Sequence, residues 1–493
     1  MGDVALALIS TAMSDEARPV AWWIFPTIPL VSAAIAFAWI LHNELLRLYG
    51  LTASAWDLAY DQQVIWNISV GQGFYSSFAR ANFLGIHLEL IFVVLAAVEK
   101  FWPSPSVLLI FSAAGLAATA PAGYLFFRSL LPADRAESPW LAVALATPLP
   151  FWPAIQEAGR DLFHPENMAL ALALLAGWAG IRGHRIAMWA LCVLVLTCKE
   201  DQVYTVAVIG ILMRFYGAPL IQKHWRFIVY LAGAWFLIGT AVVQQQVRNG
   251  GYSDIVYYRW LVGLDPSLPV SFLNIVQALV RPEALLAVAG IIAGMFLLPL
   301  LAPRWLLLVI PPYLASVLSG HNPQNILRVH YVLLLVFPLV VAGAVGARRF
   351  LEIHSIRPST AVIAMLPVFL LAWGAGRFPP ALGGEQDLSL YNRPNTVAEL
   401  KNAASVIPDG APVNSDNGLA VWLANRHTIN DFPDFLDGTC YVIIQRDAYL
   451  QFINPTDVTS PAKRQAAIDH LPDSGRHLLF DDGRFQVWSP VGD

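Results

Sequence analysis

From residue 105 onward, apolar runs recur between short polar turns, and this recurrence constrains the fold of the 493-residue chain more than any other feature. The runs lie near 105–127, 139–156, 166–181, 186–198, 202–215, 227–246, 283–301, 305–318, 330–347 and 359–376, with an earlier one near 20–41. A helix needs roughly 20 apolar residues to cross the hydrocarbon layer of a bilayer, and many of these runs approach that length. About eleven transmembrane helices are expected. Pro299, Pro311, Pro312 and Pro338 suggest kinks, which neighbouring helices tolerate in a membrane.

Composition excludes the soluble classes. Apolar residues make up 57% of the chain and charged residues only 13%, against about 25% charged in an ordinary soluble chain. With 17 Trp, 26 Phe and 15 Tyr, the chain buries too well to stay disordered. A net charge of −4 argues against nucleic acid as a partner. Cys192, Cys198 and Cys440 supply neither a disulfide framework nor a CxxC zinc site. The residues up to Arg18 lack the marks of a signal peptide.

Two segments break the apolar pattern. Residues 42–104 mix aromatic clusters with charges and read as a first outward loop, in which 88–102 is expected as a helix along the interface, with a tilted span as the alternative. Residues 377–493 hold 15 of the 34 acidic residues, strand-like runs at 440–445 and 484–489, and helical patterning at 395–406 and 461–470. The expected organisation is a transmembrane domain over 1–376 followed by a small extracytoplasmic α/β domain over 377–493. Basic residues set the orientation. Arg128 and Arg135; Arg182, His184 and Arg185; Arg214, Lys223 and Arg226; Arg304; then Arg348, Arg349 and Arg357 occupy alternate loops, which places those loops, with Arg18 and the N-terminus, on the cytoplasmic side.

Ionisable residues are costly in a membrane, by roughly 2.5–3.5 kcal/mol even on the lenient insertion scale, so their placement carries information. Five clusters stand out: WDLAYDQQ (56–63), NFLGIHLEL (82–90), GRDLFHPEN (159–167), CKEDQ (198–202) and ILRVHY (326–331). With the orientation above, all five fall at outward ends of spans. Asp57 and Asp61 are four residues apart, on one face of a helix, framed by Trp56, Tyr60 and Trp66. They are either solvated loop carboxylates or groups made more basic by an apolar setting. His87 with Glu89, and His164 with Glu166, are metal-ligand types or structural hydrogen-bond pairs. Lys199, Glu200 and Asp201 form either an internal salt bridge or a polar site, and Arg328, His330 and Tyr331 end the last cluster as interface anchors or ligand contacts.

Together, WDLAYDQQVIWN, NFLGIHLEL, FHPE, CKED and RVHY, with IPDGAPVNSDNGLAVWLANR at 407–426, resemble a family of prokaryotic membrane proteins of unknown function. That family in turn resembles the GT-C glycosyltransferase superfamily. The resemblance implies a GT-C-like membrane fold in the inner (plasma) membrane, working at the periplasmic or outer face. It implies a polyprenyl-phosphate sugar donor and a glycan, lipid or protein acceptor. Asp57 and Asp61 occupy the place of the essential acidic residue after the first span. Many GT-C members carry an adjacent acidic pair there, whereas this chain has Asp57-Leu58 and Asp61-Gln62, which leaves open which of the two is the counterpart. Lys199, Arg328 and His330 suit the donor phosphate, with Glu200, Asp201 and Tyr331 beside them. His87, Glu89, His164 and Glu166 would orient the sugar or hold a divalent cation such as magnesium or manganese. A transporter or flippase of a lipid-linked or small polar substrate is the alternative, since intramembrane charges also mark transport pathways. A non-catalytic scaffold is the third reading.

Overall fold

A computed structural model describes residues 2–248, 254–265, 270–355, 360, 396–434, 436, 438–446 and 461–492, with side chains from Ile24 onward. The span expected at 359–376 lies outside these residues. The described chain is mostly helical, and five of its helices are long and apolar enough to cross a membrane: Ile24–Tyr49, Ser106–Leu130, Trp225–Val247, Phe272–Gly294 and Asn322–Ile353. Between them stand the shorter apolar helices Glu166–Arg182, Arg185–Cys198 and Val203–Tyr216.

Burial separates the helices into layers. The Asn322–Ile353 window is 89% buried, whereas the Phe272–Gly294 window is 17% buried. A helix that is apolar all round belongs either inside a bundle or against lipid, and the two cases are both present here. Val336, Phe337, Val340, Val341 and Val345 fill the centre of the bundle. Leu30, Ile35, Phe227, Tyr230 and Leu286 stand exposed on the peripheral helices, a surface suited to acyl chains rather than water.

The 139–156 run does not form one continuous helix. It divides into Ser138–Ala146, a 3-10 turn over Leu149–Phe151 and a helix over Pro153–Arg160. Pro148, Pro150 and Pro153 lack the N–H donors that an unbroken helix requires. Of the four prolines expected to kink helices, Pro338 alone lies inside one. Pro299, Pro311 and Pro312 stand in the first turns of Leu298–Leu301 and Ile310–Val317, where no N–H is needed. The 88–102 segment contains the helix Phe92–Glu99, whose 8 residues span only about 12 Å.

In the first loop a two-stranded ribbon pairs β1 (Tyr75–Ser76) with β2 (Ala81–Asn82). The C-terminal unit is built on β3 (Val413–Ser415), β4 (Ile429–Asp431), β5 (Tyr441–Gln445), β6 (Leu478–Asp481) and β7 (Phe485–Trp488), in the order β4-β3-β5-β7-β6. The β4, β3 and β5 strands run parallel, and β7 lies antiparallel to both β5 and β6. Helices Thr396–Ala404, Asn417–Leu423 and Pro461–His470 pack with it. Alternation along β5 divides the two cores. Ile443 faces a cluster shared with the first loop, while Val442 and Ile444 join Phe432, Leu471 and Trp488 on the other side.

That shared cluster binds the C-terminal unit to residues 48–97. Leu58, Val64, Phe83 and Leu95 of the loop pack with Leu419, Val421, Ile429 and Phe485. Polar contacts fix the register. Gln63 donates to the carbonyl of His427 at 3.0 Å, Ser77 donates to that of Ile429 at 2.5 Å, and Trp422 donates to that of Leu48 at 3.1 Å. Gly418 is required at this seam, because a Cβ there would run into the Leu51 carbonyl.

Candidate functional site

The chain delivers Asp57 on an unusual element. Residues Ala55–Ala59 form a π-helical turn, capped by Ser54, whose hydroxyl accepts from the Trp56 N–H at 3.2 Å. A regular helix, Tyr60–Ser69, follows directly and carries Asp61 in its first turn. Short π-helical turns are frequent at functional sites, because the extra residue re-aims the side chains around it. The C-terminal unit clamps this turn from outside. Ala55 N–H donates to Asn417 at 3.0 Å, and Trp56 Nε1 donates to Asp431 at 3.2 Å.

A second element is the tight loop after Arg160. Asp161 and His164 stand three residues apart, with His164 Nε2 3.0 Å from Asp161 Oδ2. Packing of the Pro153–Arg160 helix against the Val329–Val332 turn brings His330 to the same carboxylate, and its Nδ1 donates to Asp161 Oδ2 at 2.6 Å. The two imidazoles stack with centroids 3.7 Å apart. Both loops are strained. Leu162, Leu327 and Val329 have φ of 65°, 54° and 52°, a region costly for any residue with a Cβ and most of all for valine. A buried network holds Leu162 in place: Asn167 donates to its carbonyl at 2.9 Å, and the Ser112 hydroxyl, 3.2 Å from that carbonyl, lies 2.7 Å from Glu44 and has one proton to share between them.

The other expected site residues divide into those that join this cluster and those that stand aside. Lys199 crosses to Glu166, with Nζ to Oε1 at 2.5 Å and both side chains buried, so its partner lies 33 residues away rather than beside it in sequence. Glu166 Oε1 lies 3.8 Å from His330 Nε2. The Tyr331 ring lies tilted against His330 with centroids 4.1 Å apart, and Lys199 lies 5.7 Å from the Tyr331 ring centroid. His87 turns to Glu200 at 3.1 Å, and Glu200 also accepts from the Leu88 N–H at 2.8 Å. Gln202 donates to Asp201 at 3.1 Å. Glu89 is buried. Arg328 is exposed.

Burial and charge set the protonation pattern. Burial raises the Asp57 pKa, helped by the Asp161 charge and opposed by His164. Burial also pushes Asp61 up to about 7, against the pull of His164 and with the help of Asp57. Burial alone would raise Asp161, but the charge of His164 and the hydrogen bond from His330 hold it well below the usual carboxylate range. Burial opposes a charged His164 as well, yet Asp161, Asp57 and Glu166 hold its pKa up at about 9. Glu89 is raised by burial, and Asp201 is pushed up to about 7. The site therefore combines an ionised carboxylate at Asp161 with a raised carboxyl at Asp57 and, at Asp61, one able to exchange protons near neutral pH.

His87, Glu89, His164 and Glu166 do not converge as a ligand set. Among the described residues, the group whose ligand atoms all lie within 4.8 Å of one another is Asp161, His164 and His330. Asp161 was not singled out from the sequence. Its signal was the i, i+3 spacing to His164 within GRDLFHPEN.

The fold and this cluster define a multi-pass membrane protein with a buried, ion-paired polar site beneath its C-terminal unit. The chain belongs to the family described as Predicted membrane protein (DUF2079), whose pattern matches residues 47–458. Two solved structures are similar to it. One is ArnT from Cupriavidus metallidurans bound to undecaprenyl phosphate, at 10% identity and a TM-score of 0.41, covering 93% of this chain and 98% of that one. The other is the same protein in the apo state, at 12% identity and a TM-score of 0.43, with the same coverage. No curated protein sequence matches this chain.

Proposed function

We propose that the protein is a membrane glycosyltransferase that moves a sugar from a polyprenyl-phosphate donor to an acceptor hydroxyl at the outer face of the inner membrane. The observation that carries this reading is the meeting of Asp57 and Asp61 with Asp161, His164, His330, Glu166 and Lys199 in one buried electrostatic cluster. Sugar transfer needs a proton acceptor and a place for phosphate charge, and the cluster holds candidates for both. The acceptor oxygen attacks the anomeric carbon as its proton passes to Asp57 or Asp61, for which a raised carboxyl pKa is well matched near neutral pH. The bond from that carbon to the phosphate oxygen breaks, and the polyprenyl phosphate leaves with the electron pair. Lys199 supplies a cationic, hydrogen-bonding group on that side. Arg328, exposed beside His330, would meet the headgroup as it arrives. The apolar faces of the peripheral helices suit the prenyl tail.

The test is transfer from polyprenyl-phosphate sugars by the purified full-length chain in lipid. Turnover in the wild type, lost in both Asp57→Asn and Asp61→Asn while the lipid donor still binds, supports the reading. Movement of the lipid-linked sugar across vesicles without transfer would replace it with a flippase.

A further inference from the structure

We propose that Asp161, His164 and His330 form a binding site for a divalent ion of zinc-like preference, with Glu166 as the carboxylate that orients His330 from behind. The donor set argues for the ion. Two imidazoles and one carboxylate suit zinc and its neighbours, whereas magnesium and manganese favour oxygen-rich, octahedral surroundings. Zinc bonds of about 2.0–2.1 Å in tetrahedral geometry set neighbouring ligand atoms about 3.3 Å apart. The contacts at Asp161 Oδ2 stand at 2.6 Å from His330 Nδ1 and 3.0 Å from His164 Nε2, within a few tenths of an ångström to seven tenths of that spacing. Three protein ligands leave a fourth position for an oxygen from water or a phosphate.

Hydrogen bonding alone satisfies this group poorly. His330 Nε2 and Glu166 Oε2 are buried without a hydrogen-bond partner, and the 3.0 Å contact of His164 Nε2 is not aligned as a hydrogen bond. With a proton on Nδ1, a neutral His330 turns the lone pair of Nε2 toward Glu166 Oε1, 3.8 Å away, so two acceptors face each other. With a metal on Nδ1, the proton sits on Nε2 and points at that carboxylate, the arrangement that commonly orients metal-bound histidine. Lys199, at 2.5 Å, holds Glu166 in place for that contact. The strained backbone at Leu162, Leu327 and Val329 lies within three residues of the ligands on both loops, as expected where a ligand geometry overrides local preference.

Full-length protein in detergent, stripped with a chelator and then equilibrated with zinc, manganese and magnesium together, gives the test by elemental analysis and zinc titration. About one zinc per chain is expected, with the other two ions removed by washing. His164→Ala and His330→Ala should each weaken zinc binding by about 100-fold or more, and Glu166→Gln by about 10–100-fold. His184→Ala, at an exposed histidine in the turn between the Glu166–Arg182 and Arg185–Cys198 helices, should keep the wild-type stoichiometry. Cobalt in the wild-type chain decides the matter where a variant does not fold. Intense visible absorption of a four-coordinate nitrogen and oxygen site supports the proposal, and the weak bands of a six-oxygen site overturn it. Failure of the wild type to retain zinc, or full retention by folded His330→Ala, also overturns it. The readout is metal rather than sugar transfer, so this proposal and the proposed activity stand or fall separately.

Discussion

Asp61 is fully enclosed and Asp57 half-enclosed, and burial raises both carboxyls. A base acts only when ionised, so a catalytic Asp61 with a pKa of about 7 makes turnover rise with pH through that value. Asp61→Asn should remove this limb and lower turnover by about 100-fold or more. A wild-type rate that stays flat across the neutral range would exclude Asp61 as the base. Lys199 offers a different test. Replacing it with Met strands the buried Glu166 carboxylate, which costs about 3–5 kcal/mol where a buried pair is broken on one side. Heat stability of Lys199→Met should therefore fall and recover in Lys199→Met/Glu166→Gln, and thermal melts of the pair of variants check this. Unequal recovery of donor binding in the double variant would then assign Lys199 to the phosphate as well as to the fold. At this scale the sequence displayed the polar residues but not their partners. The His330 contact with Asp161 spans 169 residues, and no spacing rule reaches that far.

Elements were legible where their periodicity was local. The strand runs at 440–445 and 484–489 appear as β5 and β7, and the helical patterns at 395–406 and 461–470 as Thr396–Ala404 and Pro461–His470. The π-helical turn at Ala55–Ala59 was not legible, because its extra residue depends on contacts with Asn417 and Asp431 from the far end of the chain. Those contacts give the clamp a pH dependence. Burial pushes Asp431 up to about 7, against the hydrogen bonds from Asn417 and Trp56. The folded state then holds a proton that the unfolded chain releases at about pH 4. The Asp431 contribution to docking is full below about pH 4 and is lost as pH rises through about 7. Protection of the Ala55–Ala59 amides from hydrogen exchange, taken relative to the unstructured rate at each pH, should fall between mildly acidic and mildly alkaline buffer, and Asp431→Asn should flatten that fall. Equal protection in wild type at both pH values would mean that the clamp does not titrate.

For the whole molecule, docking adds a constraint that loop charges alone did not carry. The C-terminal unit shares a core with residues 48–97, so the first loop and residues 396–492 must lie on one side of the membrane whatever the number of spans. The Leu333–Ile353 helix starts beside His330 in the cluster and, over 21 residues, carries the chain about 31 Å away. At the Thr396–Ala404 helix the chain is back beside the first loop. Which side the unit occupies rests on the basic loops. Arg182 and Arg185 flank the turn between two helices that run back to Glu166 and on to Lys199, so this turn lies at the end of the bundle opposite the cluster. Positive residues favour the cytoplasm, so an outward cluster and C-terminal unit are the expected arrangement. Reporter fusions at Arg182 and Asp409 should therefore report opposite sides, with Arg182 cytoplasmic. Reports from the same side would contradict the docked fold itself, whereas opposite sides with Asp409 cytoplasmic would keep the fold and reverse the orientation, removing the outer face as the place of transfer.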